Sequence, residues 1–194
     1  MQIIDLAEQT RLLGQMSPAL DALHREVQRT RDGEIIAPVR EIAPVALRVQ
    51  RLATQCIEQL HTLSTSQYAA MKDGHPNLAQ LAGACAQVSL AATLCALAIN
   101  SRTEVLLYED ADPTPASSRD NLRRAADELD SAATTYRALA RRLSRRLASA
   151  AARREDRQLI ERALADPGAA SPTAARAAAT TGVPTASSPA PKRR

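Results

Sequence analysis

The sequence contains very few aromatic residues: tryptophan and phenylalanine are absent, and only three tyrosines occur among 194 residues. Sites that hold sugars or stacked bases depend on aromatic faces, so the sequence argues against both kinds of site. Hydrophobic residues still make up 45% of the chain, and the core must be built from alanine, leucine, valine and isoleucine. Small and unbranched side chains favour helices over strands. The composition therefore predicts an all-α protein.

Glycine and cysteine are scarce as well. The six glycines form no glycine-rich phosphate loop, and the chain has neither a Cys-x-x-Cys nor a His-Glu-x-x-His motif to offer metal ligands. An odd number of cysteines without a close pair predicts free thiols in a reducing compartment rather than a disulfide framework. All three cysteines fall within apolar helical patterns: Cys56, Cys85 and Cys95.

These absences set the expectations about chemistry. We expect no catalytic, cofactor-binding or metal site, and hence a protein that is not an enzyme. The first residues show neither the basic nor the apolar region of a signal peptide. Together with the free thiols, this predicts a cytoplasmic protein.

Charge is distributed unevenly along the chain. Residues 1–112 carry nine basic and thirteen acidic residues, a net charge of −4, whereas residues 113–194 carry sixteen and eight, a net charge of +8. Arginine supplies 23 of the 25 basic residues, a preference that, with the abundant alanine, is typical of the codon bias of a GC-rich genome. The asymmetry directs the search for an anion-binding surface to the C-terminal half.

Hydrophobic periodicity predicts four long helices, of which two lie in the N-terminal third. The first covers residues 3–31, where Ser17 and Pro18 could interrupt it. The second begins at Pro38 or Pro44 and runs to Lys72. Apolar residues recur every seventh position in the first helix, as in the a/d seam of a coiled coil: Leu6, Leu13, Leu20 and Val27.

The third helix is predicted to begin at an Asn77 cap after a turn at residues 73–76 and to continue to Tyr108. The fourth is capped by Ser117 or Ser118, and a short fifth segment with a different apolar face ends near residue 166. Four segments of about thirty residues, each about 45 Å long as a helix, predict an antiparallel four-helix bundle over residues 1–166. The structural alternative is a long helical hairpin that completes its core by dimerising.

The third helix stands out because residues 74–101 contain no Asp, Glu, Lys or Arg. Its large apolar residues surround the helix axis, which is typical of a helix at the centre of a bundle or inside a membrane. Its glutamine, serine, threonine and alanine residues make a poor lipid-facing surface. We therefore expect it to be a buried helix rather than a membrane span, and we expect Leu90 and Leu94 to be core residues.

Residues 167–194 form a tail of alanine, proline, serine and threonine with a few basic residues. The tail contains no acidic residue, and Val183 is its one larger aliphatic residue. Such a segment cannot bury enough apolar surface to offset its conformational entropy. We expect it to be disordered.

The strongest local feature is an arginine-rich stripe on the fourth helix, on the side opposite its apolar residues. Arginine forks bind phosphates, and a row of them is what nucleic-acid binding requires. The alternative is a solvated helix face without a ligand. Candidate phosphate or nucleic-acid contacts from the stripe and the tail are Arg137, Arg141, Arg142, Arg145, Arg146, Arg153, Arg157, Lys192, Arg193 and Arg194.

Long amphipathic helices without any recognisable reaction chemistry predict a protein that acts through protein–protein contacts, as an adaptor, a regulator or a self-assembling subunit. The alternative function is a nucleic-acid-associated protein that uses the arginine stripe and the basic tail. The sequence thus predicts a protein partner or self-association, leaves nucleic acid as a second partner, and disfavours a membrane.

Overall fold

The computed structural model describes residues 2–107 and 115–165, and helices make up nearly all of this part of the chain. Its α-helices are α1 (Leu6–Asp32), α2 (Pro38–Ser64), α3 (Gly74–Leu107), α4 (Pro115–Ala148) and α5 (Ala150–Ala165), with a 3-10 turn at Gln67–Ala70 between α2 and α3. No strand occurs in these residues; a single parallel bridge joins Gln2 to Ser66. The prediction of an all-α protein is confirmed.

The four long helices form an antiparallel bundle, as predicted. α4 packs extensively against both α1 and α3, and α3 packs against α2, whereas α1 and α2 touch only sparsely. Contacts between α1 and α4 run in opposite chain directions: Asp21 pairs with Arg137, and one turn further along α1 the His24 Nδ1 lies 2.8 Å from the Ala126 carbonyl. The bundle is therefore closed on three sides and loosely closed between its first two helices.

Capping and apolar periodicity explain the first helix. The Asp5 side chain accepts hydrogen bonds from the backbone N–H groups of Ala7 and Glu8, which satisfies donors that the first turn leaves free. The seam residues Leu13, Leu20 and Val27 are buried. Pro18 lies inside α1, and the helix continues through it, so the predicted point of interruption is not a break. A proline near the exposed side removes one donor but leaves the apolar seam in register.

The connection between α2 and α3 differs from the prediction. α2 ends at Ser64 rather than at Lys72, because the chain turns into the 3-10 segment, where the Gln67 side chain exchanges hydrogen bonds of 2.8 and 2.6 Å with the backbone of Ile4. Asp73 adopts a left-handed φ of 62°, and α3 begins directly after it at Gly74. A Cβ at position 74 would collide with the Tyr68 carbonyl. Glycine is required there by the close approach of two backbones.

α4 also begins earlier than predicted, at Pro115, and Ser118 lies within its first turn. Instead of capping α4, the Ser118 hydroxyl donates a 2.8 Å hydrogen bond to the Ala98 carbonyl of α3. The bond is buried. It ties the start of α4 to its neighbour across the bundle.

The fifth segment exists, and it separates from α4 at Ser149. The Ser149 hydroxyl accepts a 3.3 Å hydrogen bond from the Ala152 N–H and so caps α5. In the sequence, the charged residues 153–157 interrupt the apolar stripe of α4, but the helix breaks one turn earlier, at Ser149. Beyond the break, Glu155 and Asp156 reach back to Arg146. The predicted disordered tail and the boundary at residues 166–167 lie outside the described residues.

α3 is one wall of the bundle and not its central helix. Val88 and Leu94 are buried, as expected, but Leu90 and Leu97 are 41% and 46% exposed. The expectation that Leu90 belongs to the core is wrong, because within residues 2–107 and 115–165 α3 packs mainly against α2 and α4, which leaves one of its faces open. By length and composition α3 could span a membrane over Gly74–Glu104, and 44% of its most apolar window is buried within the protein.

Candidate interaction surfaces

The open side of α3 forms an uncharged surface, which we call the α3 face. Its members alternate in steps of four and three residues, so they line a single stripe along the helix. All are exposed. They are Ala79, Gly83, Ala86, Leu90, Thr93 and Leu97.

Small side chains dominate this stripe at one end and leucines at the other. A Cβ placed on Gly83 would meet no atom within 4 Å, so neither packing within the bundle nor backbone conformation requires glycine there. Glycine also weakens a helix by about 1 kcal/mol relative to alanine. A surface of this kind allows another helix to approach closely.

Ion pairing within the protein divides the predicted arginine stripe. The Arg137 Nη2 lies 2.8 Å from the Asp21 Oδ2 of α1. Arg146 is bound by Asp156 and Glu155, at 2.6 and 3.3 Å, and only 18% of its side chain is exposed. These two arginines stabilise contacts between helices, and their charges are already compensated.

Other members of the stripe have no carboxylate partner within residues 2–107 and 115–165. Arg142 donates to the amide oxygens of Asn77 and Gln80, at 3.2 and 2.9 Å, and Arg145 donates to the Arg141 carbonyl. Arg153 and Arg157 are exposed on α5. The tail residues complete the predicted set but lie outside the described residues: Lys192, Arg193 and Arg194.

The part of the arginine stripe without carboxylate partners covers a shorter length of α4 than the number of arginines in that helix suggests. In the first half of the helix, Arg123 pairs with Asp120 and Asp127, at 3.2 and 3.6 Å. Asp130 adds a further exposed negative charge to the same half of the helix. Acidic and basic charges therefore alternate there. At the C-terminal end of α4, by contrast, three neighbouring arginines have no carboxylate partner within the described residues: Arg141, Arg142 and Arg145.

That end of α4 borders a cavity whose basic residues come from distant parts of the sequence. Lys72 precedes α3, and it faces Arg142, Arg145 and Arg146 of α4 across a volume of about 470 Å³. The sequence analysis missed Lys72, because about seventy residues separate it from the arginines. The available signal was its position directly before the predicted turn at residues 73–76.

The three cysteines are buried and free. The Cys85 Sγ lies 3.8 Å from the Tyr136 hydroxyl. A hydrogen bond to Cys85 and burial raise the pKa of Cys56. Burial alone raises the pKa of Cys95 to about 11. The thiols of Cys56 and Cys95 therefore remain protonated and behave as small core residues, whereas hydrogen bonds from Cys56 and Tyr136 lower the pKa of Cys85. No cluster of three His, Cys, Asp or Glu side chains that could hold a metal ion occurs in the described part of the chain.

Comparison with known proteins gives no relative on which a function could be based. No protein-family model, no curated protein and no solved structure matches this chain. Functional conclusions therefore depend on the surfaces described above.

Proposed function

We propose that this chain is a non-enzymatic subunit that self-associates through the α3 face. The observation that carries the proposal is the exposure of Leu90 and Leu97 on a helix face without a charge over residues 74–101. Apolar side chains exposed together on one face mark interaction sites more often than leucines scattered singly over a surface.

The spacing of residues on the α3 face suits a second copy of the same face. Symmetric dimers bring one patch against itself, so a large residue on one side must meet a small one on the other. Gly83 and Leu97 are each seven residues from Leu90. A twofold axis at Leu90 places the Leu97 of one copy over the Gly83 of the other, where space is open.

Charge favours the same arrangement. The centre of the face carries no charge, so two copies approach without repulsion there. Glu104 is fourteen residues beyond Leu90, and Pro76 is fourteen residues before it. In the antiparallel pair, the Glu104 carboxylate of one copy therefore approaches the first turn of α3 in the other, where the helix dipole is positive.

Sedimentation velocity tests the proposal. We expect the wild-type chain to form dimers at micromolar concentration, and the double variant Leu90→Gln/Leu97→Gln to sediment as a monomer with unchanged helical circular dichroism. Leu164→Gln is the matched control, because Leu164 is a leucine of α5 that is at least as exposed (53%) as Leu90 and Leu97. A wild-type chain that remains monomeric at about 100 µM, a loading well above the micromolar range of specific association, would show that the α3 face does not bind a second copy.

Cysteine cross-linking tests the position of the twofold axis. Leu90→Cys places two thiols at the axis, and we expect them to form an intermolecular disulfide under mild oxidation. Leu164→Cys should not cross-link at the same rate. The native cysteines are buried and do not interfere. Equal cross-linking of both variants would reject this axis.

Nucleic-acid association is the second candidate function, because Arg141, Arg142 and Arg145 have no carboxylate partner among the described residues. Together with the basic tail, they offer phosphate contacts. Retention on immobilised DNA at low salt, lost when the three arginines become glutamine, would support it. If the full-length chain shows no retention on DNA or RNA at low salt, this candidate is wrong.

A further inference from the structure

One end of the bundle contains a cavity of about 470 Å³, a volume in the range of small-molecule sites. It lies between the 3-10 turn, the first turn of α3 and the last turns of α4. Its apolar wall includes Met71, Pro76 and Leu143, and its polar wall includes Tyr68, Asn77 and four basic side chains. The four are Lys72, Arg142, Arg145 and Arg146.

Within the described part of the chain, carboxylates compensate two of the four positive charges and leave the other two without a partner. The Lys72 Nζ lies 3.1 Å from Glu155, and Arg146 is held by Asp156. Arg142 binds only the neutral amides of Asn77 and Gln80. Arg145 uses its Nε for a backbone carbonyl, which leaves its two terminal amino groups free of any carboxylate within the described residues.

The cavity has one acidic lining residue, Asp73, and its left-handed backbone places it directly before α3. The next residues begin a helix of 34 residues, so the positive end of a long helix dipole lies at the cavity. Tyr68 is buried and lines the cavity, and burial raises the pKa of its hydroxyl, so it remains protonated at neutral pH.

We infer that this cavity binds a small phosphate-bearing molecule, with Arg142 and Arg145 as its principal contacts. The two arginines are three residues apart on α4 and therefore share one side of the helix. Two guanidinium forks and a helix N-terminus provide convergent donors for the oxygens of a diphosphate group. The apolar wall of Met71 and Leu143 suits the rest of a nucleotide-sized ligand.

A compact ligand fits better than an extended nucleic acid. Toward the start of α4 the positive surface is limited by the exposed Asp127 and Asp130. A polynucleotide needs a continuous positive groove. Here the positive charge is concentrated on one side of a recess instead.

Isothermal titration calorimetry with the full chain tests the inference, with pyrophosphate and ADP as probes in an amine buffer without phosphate. We expect saturable binding of one probe molecule per chain. Arg142→Gln/Arg145→Gln should weaken that binding about tenfold or more, since two charge-assisted contacts are lost. Arg145→Gln alone, whose arginine makes only a backbone contact, should give an intermediate loss with folding unchanged.

Arg124→Gln is the matched control, because Arg124 is exposed on the same helix outside the cavity. Its affinity for both probes should equal that of the wild type. An equal loss in this control means diffuse charge attraction and overturns the inference, as does the absence of saturable binding. Tight binding of an oligothymidylate that pyrophosphate does not displace assigns the arginines to nucleic acid and also overturns it.

Discussion

The Arg146 guanidinium meets the Asp156 carboxylate at 2.6 Å between Nη2 and Oδ1, with 18% and 7% of the two side chains exposed. Asp156 also accepts a 3.2 Å hydrogen bond from the Lys72 backbone N–H. One carboxylate of α5 thus joins the end of α4 to the turn before α3.

Replacing that carboxylate should release α5. Asp156→Ala leaves the Lys72 backbone N–H without its acceptor and the largely buried Arg146 guanidinium with only the more distant Glu155 carboxylate, which costs about 2 kcal/mol in the free energy of docking. Trypsin should then cleave faster after Arg153 and Arg157, as followed by mass spectrometry. Glu155→Gln is the control, because Glu155 is 44% exposed and its loss should leave cleavage nearly unchanged. Equal protection in Asp156→Ala would show that α5 is held by its apolar contacts.

Two leucines of α3 should respond very differently to a charge. Leu94 is 2% exposed and Leu90 is 41% exposed. Leu94→Asp buries an unpaired carboxylate and should unfold the protein, whereas Leu90→Asp should leave the monomer folded, with a loss of about 1 kcal/mol. Thermal unfolding followed by circular dichroism separates the two outcomes. Unfolding of both variants would place α3 at the centre of the structure.

Gln59 offers a substitution that stabilises the fold. Its side-chain oxygen is buried and has no donor within the described residues. Gln59→Leu removes this unsatisfied acceptor and should raise the free energy of unfolding by about 1 kcal/mol in urea titrations. Gln55 lines the same groove between α1 and α2 but is exposed, so Gln55→Leu should change little. A loss of stability in Gln59→Leu would mean that the Gln59 amide stabilises the fold through a contact with solvent.

Alkaline pH should destabilise the protein through the buried thiol of Cys95. Burial raises the pKa of Cys95 from an ordinary value of 9.0 to about 11. Between these values the native state keeps a proton that the unfolded state loses, so stability falls as pH rises, by about 3 kcal/mol for this group. Urea titrations at pH 8, 9.5 and 11 measure the slope. Cys95→Ala should reduce it, and an unchanged slope would contradict the role of Cys95.

Residues with local partners could be predicted from the sequence, and those with distant partners could not. The seam of Leu13, Leu20 and Val27 identified α1 because a helix repeats every few residues. The end of α2 was wrong because it depends on Gln67, which binds Ile4, more than sixty residues away. Ser118 was misread as a cap for the same reason, since its acceptor is a carbonyl of α3.

The candidate surfaces show the same limit. Periodicity shows that α3 is apolar on all sides, but which side remains uncovered depends on the number of neighbouring helices. Leu90 was therefore assigned to the core although it is exposed. The arginines of α4 were found from their density, whereas the carboxylates that compensate Arg137 and Arg146 come from α1 and α5.

The sparse contact between α1 and α2 has a consequence for folding. The main partner of α1 is α4, and the hydrogen bond from His24 to Ala126 and the ion pair from Asp21 to Arg137 span 102 and 116 residues. During synthesis α1 leaves the ribosome long before α4 has been made, so the apolar seam of α1 stays uncovered until α4 is available. We therefore expect the α2–α3–α4 layer to assemble first and the capture of α1 to complete the fold as a slow, non-local step.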